Sequence, residues 1–337
     1  MPYYFHASVA LFESNISRIN GDFDTSDAII QNLLDQKHDI NTRCDNALMG
    51  RLHISNIENK IRRYDNDVAS TIYQWEGIHP LSTFEIEVTR RLQGTAAKFF
   101  QSIGDFQTAR ASLEQHLWLN AAQPIRPNTR ALIVSKLAEI HCELNECERA
   151  VDLLTPEIET IPETAHKGRP FRRLSLALVE ANIGLGNLDA AEVVLLHLAD
   201  VEPPEMDDIN DQLIHMRRLI ANARTVHERL HFDEALRLWG CVLERMEQLA
   251  IFNSKHKWTA AVTWLSISHA QLKLGNIEGA KRSWGFATNI SRSEQCEYVI
   301  PALGTVWLHK LVSDIHESQG WQFRVMLPGG KPDITWP

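Results

Sequence analysis

The sequence repeats itself about every 42 residues, and this periodicity restricts the folds open to the chain more than any other feature. Each repeat contains a turn followed by a small residue. The small residues lie 40 to 45 positions apart and are Ser26, Ala69, Ala109, Ala150, Ala191, Ala235 and Ala280. A larger apolar residue stands four positions after each, which places both side chains on one face of a helix.

The turns predict that each repeat is a pair of helices. Most of them contain Gly or Asn, which adopt the left-handed backbone that ends a helix, and a following Asp or Asn suits the start of the next helix. The small residue lets the second helix approach the first, and the larger residue fills the space between them. The turns at Tyr64–Ala69 and Leu230–Ala235 lack the glycine. Stacked pairs of this kind form a solenoid.

Three segments resemble the second halves of tetratricopeptide (TPR) motifs: Gly104–Leu117, Leu185–Pro204 and Leu274–Ala287. The resemblance extends over roughly residues 7–290, with a period longer than the standard 34 or so residues, as in the long-repeat TPR arrays of kinesin light chain. It implies an all-α fold, an αα-superhelix (TPR-like solenoid) of about seven helix pairs. It also implies that the first helix of each pair lines a concave groove.

The chain end differs from the repeats. We predict a helical repeat array over residues 1–294, a C-terminal capping helix over 295–319, and an extended tail or small hairpin packed on the array over 320–337. In the tail, apolar residues alternate on both sides of a Pro-Gly-Gly turn, which is typical of a hairpin. The alternative is that the tail lies in the groove as a lid.

Composition restricts the partners. A net charge of −9 argues against nucleic acid or an anionic membrane as the partner, and no run of about 20 apolar residues could span a bilayer. The five cysteines are scattered, which predicts free thiols and a cytoplasmic protein. Because no nucleotide-binding or other cofactor motif occurs, we expect no cofactor.

Charged residues recur at equivalent places on the predicted inner helices. A locally basic concave face would hold a carboxylate-bearing or phosphorylated partner through arginine forks. The alternative is a set of solvated side chains that bind nothing. The predicted groove residues are Arg51, Arg91, Lys98, Lys136, Glu139, Arg173, Glu180, Arg217, Arg224 and His269.

The segment His227–His231 matches the HExxH motif of zinc proteases, in which two histidines one helical turn apart bind the metal. The repeat register, however, places this segment at the end of an inner helix and in the following turn. Arg229 also introduces a charge where the zinc-protease helix is usually apolar. We therefore predict a solvated helix end and no metal site.

Two classes of function remain open from the sequence. The first is an interaction scaffold that binds a segment of another protein or a peptide, in particular an anionic one, without catalysis. The second is a small-molecule-binding protein or a cofactor-free enzyme, of the cyclase or isomerase type, with a pocket enclosed by the superhelix and the tail. An open, charged inner surface favours the first, and a closed apolar chamber favours the second.

Overall fold

The computed structural model describes residues 3–19, 22–35, 43–63, 68–73, 83–102, 104–119, 125–202, 209–248, 257–291, 305–325 and 334–335. These contain fifteen α-helices: α1 (Tyr3–Ile19), α2 (Phe23–Asp35), α3 (Arg43–Arg63), α4 (Val68–Tyr73), α5 (Thr83–Ser102), α6 (Phe106–Trp118), α7 (Pro127–Glu143), α8 (Cys147–Glu159), α9 (Arg169–Gly184), α10 (Leu188–Asp200), α11 (Ile209–Glu228), α12 (Phe232–Gln248), α13 (Lys257–Lys273), α14 (Ile277–Ser291) and α15 (Thr305–Gln319). Two short strands, β1 (Arg324–Val325) and β2 (Ile334–Thr335), pair antiparallel.

The helices follow each other in pairs, from α1 with α2 to α13 with α14, and α15 follows the last pair. We call the first helix of a pair its A helix and the second its B helix. Neighbouring A helices contact one another, as α7 with α9 and α9 with α11 do, and α13 packs against α15. The predicted all-α helical-repeat fold is confirmed.

The turns between paired helices have the backbone that the sequence predicts. Gly104, Gly186 and Gly275 have φ values of 79°, 74° and 78°, in the left-handed region that favours glycine. Asn145 and Leu230 occupy the same place at 60° and 65°. The Leu230 turn therefore keeps its shape without the glycine, at the cost of a strained conformation for a branched side chain.

The predicted small residues, and the predicted large ones whose side chains the structure describes, lie in the interior of their helix pairs. Of the seven small residues, all but Ala69, which is half-buried, are completely buried. At two pairs a serine occupies the closest approach on the A helix: Ser268 Oγ donates to the Ala280 carbonyl at 2.8 Å, and Ser14 Oγ lies 2.8 Å from Ser26 Oγ. Small residues thus bring paired helices within hydrogen-bonding distance.

The chain divides into two compact units. The first comprises residues 1–100 with 111–124, and the second comprises 101–110 with 125–337. In the second unit the tail packs on α14: the Trp284 ring centroid lies 5.7 Å from that of Trp321 and 5.5 Å from that of Phe323. The division into 1–294, 295–319 and 320–337 stays a prediction. The Tyr64–Asp67 turn, the start of the predicted cap at 297–304, the tail turn at 328–330 and Trp336 lie outside the described residues.

Candidate partner-binding face

The A helices of the second unit carry one residue each at the same place in the repeat, eleven positions before the alanine that follows the turn. These four residues, which we call the A-helix row, are Glu139, Glu180, Arg224 and His269. All four are among the predicted groove residues. Because neighbouring A helices pack side by side, the row runs across the helices rather than along them.

Arg217 of α11 joins the first part of the row. Its Nη2 donates to Glu139 Oε1 at 2.6 Å and to Glu180 Oε1 at 2.9 Å, so one guanidinium binds carboxylates of two neighbouring A helices. Burial raises the pKa of Glu180 to about 7, although Arg217 opposes the shift. Burial lowers the pKa of Arg217, but the two glutamates outweigh it and raise that pKa overall. Arg217 is therefore bound within the protein.

Arg224 is in a different state. It is half-buried, its guanidinium carbon lies 5.2 Å from the ring centroid of the buried Trp307, and it makes no ion pair or hydrogen bond with the described residues. Its pKa is lowered, mainly by burial. The nearby Glu228 is already ion-paired with Lys310, which also lies over the Trp307 ring, at 5.6 Å from its centroid. Arg224 thus retains its guanidinium donors for another group.

A second arginine without an ion-pair partner among the described residues, Arg173, lies at the start of α9. Arg169 Nη2 donates to Asp211 at 2.7 Å, and Arg172 also donates to that carboxylate. Arg173 has no ion pair or hydrogen bond with the part of the chain that the structure describes. Its pKa is lowered by burial, then by the neighbouring cations Arg169 and Arg217. This end of α9 therefore has an excess of positive charge.

The last residue of the row belongs to a buried hydrogen-bond chain. Trp239 Nε1 donates to His227 Nδ1 at 3.2 Å, His227 Nε2 lies 2.8 Å from His269 Nδ1, and His269 Nε2 lies 3.1 Å from Asp314 Oδ2. Two neutral imidazoles satisfy every link, each donating through Nε2 and accepting at Nδ1. Burial, followed by the repulsion that a protonated His269 would exert, lowers the pKa of His227 to about 3.

The prediction of a solvated helix end at the HExxH segment is wrong for His227, which is 2% exposed within this hydrogen-bond chain. Both ring nitrogens of His227 already have hydrogen-bond partners, α11 ends at Glu228, and His231 is exposed in the turn. The two histidines therefore do not lie on one helical turn as a zinc site requires. Among the described residues, no group of three or more His, Cys, Asp or Glu side chains has the geometry of a metal site.

The other predicted groove residues are divided between the two units. Lys136 lies half-buried on α7 in the second unit, and the remaining three belong to the first unit. There Arg51 lies 3.9 Å from Glu87, and Arg91 and Lys98 are exposed. Partial desolvation by neighbouring atoms lowers the pKa of Arg91, and the nearby charge of Arg51 lowers it further. Whether all ten residues bind a partner stays a prediction.

Sequence reasoning missed the residues of α15 that complete this face. Trp307, Lys310 and Asp314 approach Arg224, Glu228 and His269, respectively. A signal was present, since Asp314 lies 45 residues after His269 and so continues the row at the repeat spacing. Gly320 ends α15 with a left-handed φ of 68°, but the chain then leads to β1 instead of a B helix, so the repeat register stopped at the seventh pair.

Comparisons with known proteins agree with the helical-repeat architecture. No family model and no curated protein matches the sequence. A solved structure titled as a Rap protein complexed with Competence and Sporulation Factor aligns over 93% of this chain and 82% of its own, with a TM-score of 0.62 at 11% identity. The Rap conjugation gene regulator of the plasmid pLS20, in complex with the Phr* peptide, aligns over 93% and 85%, with a TM-score of 0.52 at 10% identity.

A kinesin light chain with TPR-like repeats from Podosopora anserina aligns over 60% of this chain and 95% of its own, with a TM-score of 0.42 at 17% identity.

None of the helices within the described residues is both long enough and apolar enough to cross a membrane. The turn geometry, the helix pairing and the shared architecture together identify the chain as a TPR-like helical-repeat protein.

Proposed function

We propose that this protein is a binding scaffold that holds an acidic or phosphorylated segment of another protein, or an acidic peptide, against the A-helix row of its second unit. Two solved proteins of the same fold were determined with Competence and Sporulation Factor and with the Phr* peptide. That likeness supports a peptide partner, since TPR-like arrays bind extended segments on their A helices. The chemistry of the partner is argued from the charges of the row.

The observation that carries the proposal is the unpaired guanidinium of Arg224. A half-buried cation without an ion pair or hydrogen bond is unfavourable, and an anion that binds it offsets the cost of its desolvation. The acidic neighbours do not supply that anion: Glu180 is hydrogen-bonded to Arg217, and Glu228 is bonded to Lys310. A carboxylate or phosphate from a partner would accept hydrogen bonds from the guanidinium of Arg224, which lies over the Trp307 ring.

Arg173 supports a second contact with the same partner. It lies on the neighbouring A helix α9 beside Arg169 and Arg172. The positive charge of these three arginines exceeds the single negative charge of Asp211, which binds two of them. An extended segment with acidic residues at two separated places would therefore match Arg224 and Arg173 together. Because the whole chain has a net charge of −9, a partner recognised this way is selected by local charge and not by overall attraction.

The test is a selection from a random peptide library on the wild-type protein, followed by affinity measurements with the Arg224→Gln variant. Loss of a charge-assisted hydrogen-bonded pair should weaken the selected peptides roughly 10-fold to 100-fold, from about 1.5–3 kcal/mol. Glutamine removes the charge but keeps a polar side chain of similar length. The matched control is Arg237→Gln, which removes an arginine that is 67% exposed on the B helix α12.

The proposal predicts that the selected peptides are enriched in Asp and Glu, and that Arg237→Gln binds them as the wild type does. Peptides without acidic residues would contradict it, as would acidic peptides that bind Arg224→Gln as tightly as wild type. The affinity for acidic peptides should also fall as salt is added, because the contact is an ion pair.

As part of the same proposal, we place the protein in the cytoplasm. Cys142 and Cys147 stand on either side of one turn and are both free thiols, as is Cys241, which suits a reducing compartment. Fractionation of the native cells, with the protein detected by antibody, would test this assignment directly.

A further inference from the structure

Helix α1 exposes a stripe of large apolar side chains. The exposed fractions are 52% for Phe5, 41% for Val9, 65% for Phe12 and 44% for Ile16. The four residues lie on one side of the helix, because their spacings of 4, 3 and 4 residues follow the helical turn. A contiguous stripe of this kind differs from the single exposed apolar residues that are normal on a protein surface.

The other side of α1 already faces the interior of the first unit. Ala7 and Ala10 belong to an apolar cluster with residues of α2 and α3, and Ser14 is hydrogen-bonded to Ser26 of α2. The helix thus buries small residues inside the unit and leaves its large ones in solvent. Packing within the first unit does not explain the exposed stripe, because a helix that packs only inside its own unit has a polar outer face.

The spacing of the stripe is that of a seam between two helices. Apolar residues that alternate three and four positions apart form the contact line of a coiled-coil pair. We propose that two copies of this chain associate through α1, antiparallel and related by a two-fold axis, so that each stripe covers the other. This interface lies in the first unit, and it does not depend on the peptide-binding face proposed above.

The order of the side chains favours a second copy as the occupant. The 4-3-4 spacing reads the same in both directions, so an antiparallel pair centred between residues 10 and 11 places Phe5 opposite Ile16 of the second copy. The same axis places Val9 opposite Phe12 of the second copy. Each aromatic ring then meets a β-branched aliphatic side chain. A self-complementary surface of this kind closes into a dimer.

The polar flanks are compatible with this pairing. The same axis places Glu13 opposite Ser8 of the second copy, and His6 opposite Asn15 of the second copy, so no like charges face each other. A membrane surface is a poorer match, because membrane-surface helices are rich in Lys and Arg beside the apolar face. Helix α1 contains a single Lys or Arg residue, Arg18, and that residue is ion-paired with Glu58.

The apolar area of the stripe determines how tightly the two copies are expected to bind. Four side chains, each about half exposed, leave roughly 350 Å² of apolar surface per copy if each has about 150–200 Å² in all. The pair would bury roughly 700 Å² from the stripes, below the 1,200 Å² or so of a typical stable interface. We therefore expect a reversible dimer that forms at micromolar concentration or above.

Sedimentation velocity of the full chain tests this, at concentrations from about 1 to about 200 µM. The weight-average mass of the wild type should rise towards twice the monomer mass, whereas Phe12→Glu should stay monomeric with unchanged helical circular dichroism. Val9→Lys serves as a second variant should Phe12→Glu lose its helical signal. The control is Val193→Glu, which places the same charge at a residue 66% exposed on α10 and should dimerise like the wild type.

The geometry is tested by mixing two variants that each add one cysteine to the five native ones, Val9→Cys and Phe12→Cys, under mild oxidation. The two-fold arrangement predicts a disulfide between residue 9 of one copy and residue 12 of the other, identified by peptide mass spectrometry. A wild type that stays monomeric throughout the concentration range would overturn the proposal. Dimers that survive the α1 substitutions, or masses that rise beyond the dimer, would overturn it equally.

Discussion

The buried pair of His227 and His269 makes the stability of the second unit sensitive to acid. In the unfolded chain a histidine has a pKa near 6.5, whereas burial lowers the pKa of His227 to about 3 in the folded protein. Below about pH 6.5 the unfolded state therefore binds a proton that the folded state does not bind. Stability from this residue is complete above pH 6.5 and is lost as the pH falls.

The magnitude follows from the two pKa values. At about pH 4.5 the unfolded histidine is fully protonated and lies two pH units below its pKa, which corresponds to about 2.7 kcal/mol of lost stability. The side chain is 2% exposed, so solvent screening does not reduce this figure much. The variant His227→Gln removes the titrating group and keeps a polar side chain in the same place.

The assay is urea unfolding at about pH 7 and about pH 4.5, followed by tryptophan fluorescence, since Trp239 donates directly to His227. We expect His227→Gln to be less stable than the wild type at pH 7, because two hydrogen bonds are weakened. Between the two pH values, however, it should lose about 2–3 kcal/mol less than the wild type. The control is His231→Gln, an exposed histidine of the same segment, which should leave the pH dependence unchanged. An identical loss of stability in His227→Gln and wild type would refute the neutral, buried chain.

Four further substitutions test the packing and the ion pairs. Arg217→Met should destabilise the second unit by roughly 3–5 kcal/mol, because two glutamates lose their shared cation, and thermal unfolding measures the loss. Gly184→Ala should cost about 1–3 kcal/mol, since the new Cβ would lie 2.5 Å from Cys147 Sγ, whereas Gly240→Ala has open space and should stabilise α12 by roughly 0.5–1 kcal/mol. Leu230→Gly should stabilise the protein by about 1 kcal/mol, since only glycine adopts a φ of 65° without strain. A denaturation midpoint that moves in the opposite direction for any of the four would contradict the local geometry at that residue.

The helix pairs themselves could be predicted from the sequence. Each pair contains a small residue, such as Ala150 or Ala191, and a leucine one turn later. This pattern indicates which helix face is buried and where two helices come close. The turn residue states where the helix ends, and even Leu230 adopts the expected left-handed backbone. These features are local, because they depend on residues within one repeat, and a repeat array reuses the same local solution in every unit.

The state of the charged residues was decided by the tertiary structure. Arg173 and Arg217 hold equivalent places in the repeat, yet Arg217 binds carboxylates 37 and 78 residues away while Arg173 has no such pair among the described residues. The repeat register gives the place of each side chain on its own helix. It does not give the distance between charges on neighbouring helices, because that depends on how adjacent pairs pack.

The exposed stripe of α1 also could not be predicted from the sequence. The positions of Phe5, Val9 and Phe12 predict an apolar helix face, and an apolar face in a sequence is normally a buried one. Only the packed structure shows that Ala7 and Ala10 fill the interior and that the large residues remain in solvent. The positions of the helix pairs follow from the sequence alone, because periodicity is a local property of the chain. The tertiary structure decided which charges and which apolar side chains are left for a partner, because that depends on what packs against them.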